Sequence, residues 1–212
     1  MRFVITAGPT REHLDPVRFL SNPSTGKMGF AIAAEAARRG HEVVLIAGPV
    51  ALKTPKGVGR VDVVSARDML AAAEAAVSAE TDETAFVSTA AVADWRPAKR
   101  AAKKLKKGEM SPTLKLVRNP DILKTLSRRT GGRLRLVGFA AETNDVLREA
   151  ARKCREKGLA FIVANDVTQK GCGFGTDTNQ VTFVFPDGTL RRLPLMSKRM
   201  VAKRIVDEIA RL

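Results

Sequence analysis

The sequence predicts an α/β fold: a doubly wound, mostly parallel sheet with helices on both faces and an antiparallel hairpin extension. Three observations predict it. Strand-like and helix-like segments alternate at least five times along the 212 residues. Several of the strand segments are almost continuous apolar runs, as strands buried on both faces are. Near the end, two short apolar segments flank Pro186-Asp187-Gly188, a hairpin signal.

Taken in order, Arg2 to Ala7 reads as a short buried strand, broken by Gly8-Pro9-Thr10. A long polar loop reaches Gly26. Lys27 to Arg39 is an Ala-rich helix closed by Gly40. Glu42 to Ala47 is the second strand and Arg60 to Val64 the third. Ser65 with Asp68 marks the start of a helix running to about Ala79. Thr84 to Thr89 is the fourth strand. From Arg96 to Lys107, seven of twelve residues are Lys or Arg, a stretch without apolar pattern that reads as a mobile loop. Thr113 to Val117 is a short strand, and Asn119-Pro120-Asp121 opens a helix with Pro in its first turn. Leu134 to Ala140 is a strand, Thr143 to Lys157 a helix, and Phe161 to Ala164 a strand. Gly171 to Gly175 is a flexible loop. Val181 to Phe185 and Thr189 to Leu193 form the hairpin, and Ser197 to Leu212 the last helix. There are no internal repeats and no boundary for a second domain, so residues 1–212 are expected to form one domain, with the hairpin extension at about 180–194. Ligands of such a Rossmann-like sheet sit beyond the carboxyl ends of the strands. The loops starting at Gly8, Gly48, Ala90 and Ala141 should surround the site.

Charge narrows the partners. Lys and Arg number 37 against 22 Asp and Glu, a net charge of +15, which points to anionic partners: nucleic acid, a membrane surface or phosphorylated small molecules. Tyr is absent, Trp occurs once and Phe nine times, few platforms for stacking single-stranded bases. Two cysteines, Cys154 and Cys172, exclude a disulfide framework. With only His13 and His41 besides, a metal cluster is not expected, and any metal ligands stay unknown. No apolar run reaches the ~18 residues of a membrane span, and no targeting pattern opens the chain. A cytoplasmic protein without membrane association is expected.

The first loop invites comparison with nucleotide motifs. Gly26 and Gly29 precede a helix, but no G-x-G-x-x-G follows the first strand directly. The second strand ends without an acidic residue for a ribose hydroxyl. An NAD(P) enzyme is therefore disfavoured. Gly26-Lys27 lacks the glycine spacing and following hydroxyl of a P-loop. What remains is a phosphate cradle: Thr10, Ser21, Asn22, Ser24, Thr25 and Gly26 cluster before a helix N-terminus, with Gly8 behind them. A loop that merely caps the helix fits the same residues.

The segments Ile5 to Glu12, Asp15 to Asn22 and Ser24 to Gly29 resemble phosphopantothenoylcysteine synthetase of the bacterial type. The resemblance continues through Ala90 to Arg96, Lys104 to Lys107, Lys115 to Ile122, Gly138 to Thr143 and Ala164 to Val167, in order and over nearly the whole chain. It implies a ligase that joins 4′-phosphopantothenate to L-cysteine in coenzyme A biosynthesis, with CTP as energy source and Mg²⁺ as cofactor. The carboxylate attacks the α-phosphorus, pyrophosphate leaves, and the cysteine amine displaces CMP from the acyl-cytidylate. Substrate, nucleotide and intermediate are all anions, in keeping with the positive charge.

By the same resemblance, Asn22 contacts the acyl-cytidylate, and an amide suits a mixed anhydride because it donates without adding charge. Arg18 lies near that intermediate, where a guanidinium fork suits phosphate. Ala91, with its neighbour Ala90, lines the pocket. Lys104 is the essential lysine of a basic lid at about 96–112, expected to fold over the nucleotide and serve amide formation. Asp94, Phe139, Lys153, Lys157 and the segment Pro120, Asp121, Ile122 and Leu123 match nucleotide contacts, as Gly8, Thr10, Ser24 and Gly26 do on chemistry. Lys153 and Lys157 share one helix face by spacing. Two features depart from the family. A flavin-dependent decarboxylase usually precedes this domain and nothing in these residues corresponds to it, so either the chain is one part of such a fusion or the two halves are encoded separately, in which case the decarboxylase is a separate partner. Pro23-Ser24-Thr25 replaces the commoner His-Ser-Ser, which should alter loop stiffness rather than chemistry. The resemblance also implies a homodimer, through the antiparallel extension. Competing readings are an ATP-using version and a non-catalytic nucleic-acid binder, whose binding would weaken steeply with salt.

Overall fold

The structure is a computed structural model that describes residues 1–77, 83–108, 113–142, 145–166, 168–169 and 171–212. In chain order the elements are β1 (Arg2–Ala7), β2 (Arg11–His13), β3 (Phe19–Ser21), α1 (Lys27–Arg38), β4 (Glu42–Ala47), β5 (Gly59–Asp62), α2 (Ala66–Ala76), β6 (Thr84–Ser88), β7 (Trp95–Pro97), β8 (Leu116–Arg118), α3 (Ile122–Thr130), β9 (Arg135–Glu142), α4 (Val146–Glu156), β10 (Phe161–Asp166), β11 (Thr178–Asn179), β12 (Val181–Val184), β13 (Leu190–Arg192), β14 (Met196–Ser197) and α5 (Lys198–Ile209).

Eight strands form one sheet in the order β13-β12-β10-β9-β6-β1-β4-β5. The six from β10 to β5 are parallel. Numbered among themselves in chain order, they run 3-2-1-4-5-6 from β5 to β10, the doubly wound order. β12 and β13 continue the sheet antiparallel, as the turn at Pro186-Asp187-Gly188 predicts. Alternate residues of the parallel strands serve opposite faces. Phe3, Ile5, Leu45, Val87, Phe161 and Val163 face α1 and α5, where Phe30, Ile32, Val201 and Ile205 meet them. Val4, Ile46, Phe86, Leu136 and Ile162 face the opposite layer, with Met69, Leu126 and Ala150 from α2, α3 and α4. Each fully buried large side chain contributes about 1.5–3 kcal/mol, so the two layers fix the sheet that carries the loops.

Most predicted boundaries hold within a few residues. Ser65 and Asp68 form a reciprocal capping box at α2, whose predicted end at Ala79 lies outside the described residues. Gly40, at φ 81°, follows α1. Other expectations are corrected. The polar loop before α1 contains the β2–β3 hairpin. β5 ends at Asp62 rather than Val64, because the Val64 carbonyl accepts from the Arg11 N–H at 2.8 Å instead of continuing the sheet. Pro120 stays outside α3: Asp121 is the cap, accepting from the Lys124 N–H at 3.0 Å. α4 starts at Val146 rather than Thr143, which lies outside the described residues, and ends at Glu156. The basic run is anchored where it is described. The Ala101 N–H donates to the Leu14 carbonyl at 2.8 Å, and Ala98 pairs with Lys115 at 2.9 Å. The Gly171–Gly175 loop is likewise tied down, as its contacts below show. No helix among the described residues is long and apolar enough to cross a membrane.

Candidate functional site

The winding reverses between β1 and β6, and the chain stitches their two outgoing loops together. The Thr89 hydroxyl donates to the Thr6 carbonyl at 2.6 Å. The Ala91 N–H donates to the Gly8 carbonyl at 2.9 Å and the Thr10 N–H to the Ala91 carbonyl at 3.3 Å, a short parallel bridge beyond the sheet. The Ala93 N–H donates to the Thr10 hydroxyl at 2.9 Å. The Asn22 amide N–H donates to the Ala91 carbonyl at 3.0 Å. A carbonyl can only accept, so this bond sets which way the amide points. Beside these loops opens a cleft of about 640 Å³.

One wall of the cleft is the start of α1. Gly26 caps the helix in the left-handed region at φ 78°, with no side-chain cap and no acidic residue in the first turn. The first-turn N–H groups and the positive end of the dipole therefore face the cleft without a built-in anion. Gly29 lets the helix approach: a Cβ there would lie 2.4 Å from the Thr89 hydroxyl and 2.6 Å from the Ala7 Cβ. The Gly173–Gly175 loop completes this wall. The Thr25 hydroxyl donates to the Phe174 carbonyl at 2.7 Å and the Lys27 ammonium to the Gly175 carbonyl at 2.9 Å. Lys198, the first residue of α5, is 7% exposed and donates to the Gly173 and Phe174 carbonyls. Burial and the nearby Lys27 charge pull its pKa below the ordinary lysine value. Behind it the Asn165 amide donates to the Asn179 side-chain oxygen at 3.2 Å.

The other wall is α3 and the β7–β8 hairpin. Lys157 meets Asp121 at 2.9 Å. Burial raises the Asp121 carboxyl, but the Lys124 N–H and the Lys157 ammonium outweigh it and leave the group below its usual value. Asn119 holds the neighbouring strand: its N–H donates to the Asp94 carbonyl and its amide to the Ala93 carbonyl, both at 2.8 Å. Trp95 is 44% exposed at the rim, with the Arg118 guanidinium 5.2 Å from its ring centroid.

The sequence-predicted residues thus separate into three groups. Asn22, Ser24, Gly26, Ala90, Ala91, Asp94, Pro120, Asp121, Ile122, Leu123, Phe139 and Lys157 line the cleft together. Gly8 and Thr10 lie beneath it: Thr10 is fully buried and acts through the bonds just described, and Gly8 makes the turn at φ 77°. Arg18, Lys104 and Lys153 do not line it. Lys157 follows the end of α4 and turns to Asp121, so the expected shared helix face with Lys153 does not form a joint grip. The Gly48 loop is also outside the lining. A Cβ at Gly48 would fall 1.8 Å from the Pro9 carbonyl oxygen, so this glycine supports the Gly8–Pro9 turn from behind. Sequence reasoning missed Lys27, Asn179 and Lys198, and left Asn165 without a role. Only Lys27 and Asn165 carried a local signal, through the motifs around them.

A doubly wound sheet with a polar, cation-bearing cleft at its switch point defines an α/β domain suited to phosphorylated ligands. The chain belongs to the family described as DNA/pantothenate metabolism flavoprotein C-terminal domain, whose model matches residues 1–212. It is 50% identical over 210 residues to the coenzyme A biosynthesis bifunctional protein CoaBC of Bacillus subtilis, covering 99% of this chain and 51% of that protein. Against CoaBC of Escherichia coli K12 it is 48% identical over 212 residues, again 99% of this chain and 51% of the relative. The chain thus spans about half the length of these relatives. A crystal structure of the C-terminal domain of CoaBC superposes with a TM-score of 0.82 at 43% identity, covering 98% of this chain and 93% of that one. Cab2 H337A in complex with phosphopantothenate-cysteine shares the fold at a TM-score of 0.82 and 17% identity, covering 99% and 86%.

Proposed function

We propose that this chain joins 4′-phosphopantothenate to L-cysteine at the cleft, using CTP and passing through an acyl-cytidylate. Membership of the family, and half-identical relatives named for coenzyme A biosynthesis, support the pathway. The observation that carries the site is the 3.0 Å bond from Asn22 to the Ala91 carbonyl, which joins two separate motifs at the switch point. In this reading the substrate phosphate rests on the α1 wall, near Lys27 and Lys198, and the nucleotide on the α3 wall. A carboxylate oxygen of phosphopantothenate bonds to the α-phosphorus as the bond to pyrophosphate breaks. The cysteine amine then attacks the acyl carbon, CMP leaves with the bonding pair, and the amine proton is lost. Asn22 donates to the acyl or phosphoryl oxygen in both steps.

Mg²⁺ would be held with the triphosphate in this scheme and would supply charge neutralisation there. Among the described residues no group of three or more His, Cys, Asp or Glu is arranged to hold a metal. Asp94 is an exposed carboxylate at the cleft, whereas Asp121 is engaged by Lys157. That donor set fits an ion held by phosphates and one or two carboxylates. Beyond the cleft, we propose a homodimer, a cytoplasmic location, a decarboxylase partner, and no binding to nucleic acid or membrane.

The test is pyrophosphate release from CTP and from ATP, with Mg²⁺ and 4′-phosphopantothenate, with and without cysteine. CTP-dependent release that turns over only with cysteine supports the reading. Release from ATP alone would replace the nucleotide, and no release from folded protein would overturn the ligase.

A further inference from the structure

Arg18 and Lys104, the two sequence-predicted residues with the most chemistry, stand outside the cleft lining, yet they are joined by a third residue. Asp15 is fully buried at the turn of the β2–β3 hairpin. One carboxylate oxygen accepts from the Val17 and Arg18 N–H groups, each at 2.8 Å. The other accepts from the Arg18 guanidinium, at 3.0 Å from Nε and 2.5 Å from Nη2. That second oxygen also accepts from the Leu105 N–H at 3.2 Å, and Arg18 Nη2 donates to the Leu105 carbonyl at 2.8 Å. Leu105 is the residue directly after Lys104. Both of its main-chain polar groups are therefore held by the Asp15–Arg18 pair. The opposing pull of burial is outweighed by the hydrogen bonds from Arg18, Val17 and Leu105, which hold the carboxyl well below the usual range. It stays charged at any working pH.

We propose that Asp15 is a positioning residue that couples Arg18 to the Lys104-bearing loop, so that the two are placed as one unit. A buried carboxylate with this many donors is rigid, and removing it leaves the guanidinium and the Leu105 N–H without the acceptor that orients them. The catalytic half of the proposal rests on the ligase reading. The structural half does not.

The test pairs two variants. Asp15→Asn keeps one acceptor oxygen for the hairpin N–H groups and puts a donor where Arg18 and Leu105 need an acceptor. Leu105→Pro removes the loop N–H, at the cost of also restricting the backbone at 104 and 105, and leaves the Asp15 and Arg18 side chains unchanged, so it covers the case in which Asp15→Asn fails to fold. Trypsin cleavage at Lys99, Arg100, Lys103, Lys106 and Lys107 is timed on the whole chain without ligand, with sites elsewhere as internal reference; Lys104 is left out because Leu105→Pro would itself block cleavage there. Cleavage at least five-fold faster than in the parent is expected. Ligation per folded molecule, with the folded fraction measured by circular dichroism at the assay temperature, should lose kcat by about ten-fold or more, with KM for CTP within about three-fold; normalising to folded protein removes the part of the loss that general destabilisation would cause. Cleavage or turnover at the parent level in a folded variant overturns the coupling. A parent that releases no pyrophosphate overturns the ligase reading instead, because the cleavage arm needs no substrate.

Discussion

On the α1 wall of the cleft, Lys198 is buried and donates to two neutral main-chain carbonyls, whereas on the α3 wall Lys157 meets a carboxylate, Asp121. The residue type is the same and the electrical outcome differs. Lys157 is largely neutralised by its partner. Lys27, beside Lys198, touches Asp177, but that carboxylate is 88% exposed and screened by water. Asp177 acts on Lys198 as well, but from that same exposed position, so the charge of Lys198 is only weakly compensated, and it lies near the open N-terminus of α1. A buried cation held mainly by dipoles is costly unless a nearer anion completes it. Net charge of the whole chain points to anionic ligands in general; local compensation decides where on the cleft an anion is held most strongly.

Asn22 stands between the walls, and its replacement should have the largest effect. A carboxylate in its place cannot donate to the Ala91 carbonyl and puts negative charge where a mixed anhydride must sit. Asn22→Asp is expected to lower ligation by roughly 100-fold or more at nearly unchanged thermal stability. Product formation with CTP and cysteine reads this directly, and turnover within three-fold of the parent would remove Asn22 from the reacting centre.

The next effect separates the walls. Lys198→Met keeps most of the buried volume and removes the charge, and should weaken binding of 4′-phosphopantothenate about ten-fold, one lost charge-assisted contact. Calorimetry with that substrate alone measures it. The pH dependence has two opposite signs. The grip belongs to the protonated amine, so affinity falls as pH rises through the lowered Lys198 pKa, beginning below the ordinary value of 10.5. Over the same window the unfolded chain binds more protons than the folded one, so this group makes the fold more stable as pH rises. Lys198→Met should flatten both trends. Parallel trends in the parent would show that Lys198 does not hold the substrate.

How much of this was legible in the sequence depends on how local the signal is. The apolar runs at Val43 to Ala47 and Phe161 to Ala164, and the cap at Ser65, were legible because periodicity and capping act over a few residues. Asn22, Ala91 and Asp94 were legible through motifs, and the fold brings them together at the switch point. Lys198 was not, because its role arises only when α5 folds back beside α1 and the Gly173–Gly175 loop crosses between them. The basic run read as mobile because its composition lacks an apolar face. Its anchors are main-chain groups of Ala98, Ala101 and Leu105, the last held by the buried Asp15, and backbone partners leave no mark on composition. Pro120 was placed in the first turn of α3 by a sound preference, but Asp121 is the better cap and took that position.

The smallest effect belongs to the compensated wall and is the sharpest test of the contrast. Lys157 and Asp121 are 24% and 41% exposed, so their pairing should be worth no more than about 1 kcal/mol in a double-mutant cycle with Met and Asn. The lowered Asp121 pKa keeps the pair intact below the ordinary carboxyl value of 3.8, and its contribution is lost only as pH falls through the folded-state value. Nucleotide affinity can be read on the same wall without substrate turnover. Trp95 is the sole tryptophan of a chain without tyrosine, so its emission reports that rim alone. Lys157→Met should raise the CTP Kd from Trp95 titration by only about three-fold, because most of its charge is already spent on Asp121. A ten-fold rise, equal to that of Lys198→Met for its own ligand, would mean that Lys157 leaves Asp121 when nucleotide binds, and the two walls would then differ only in what their lysines hold while they wait.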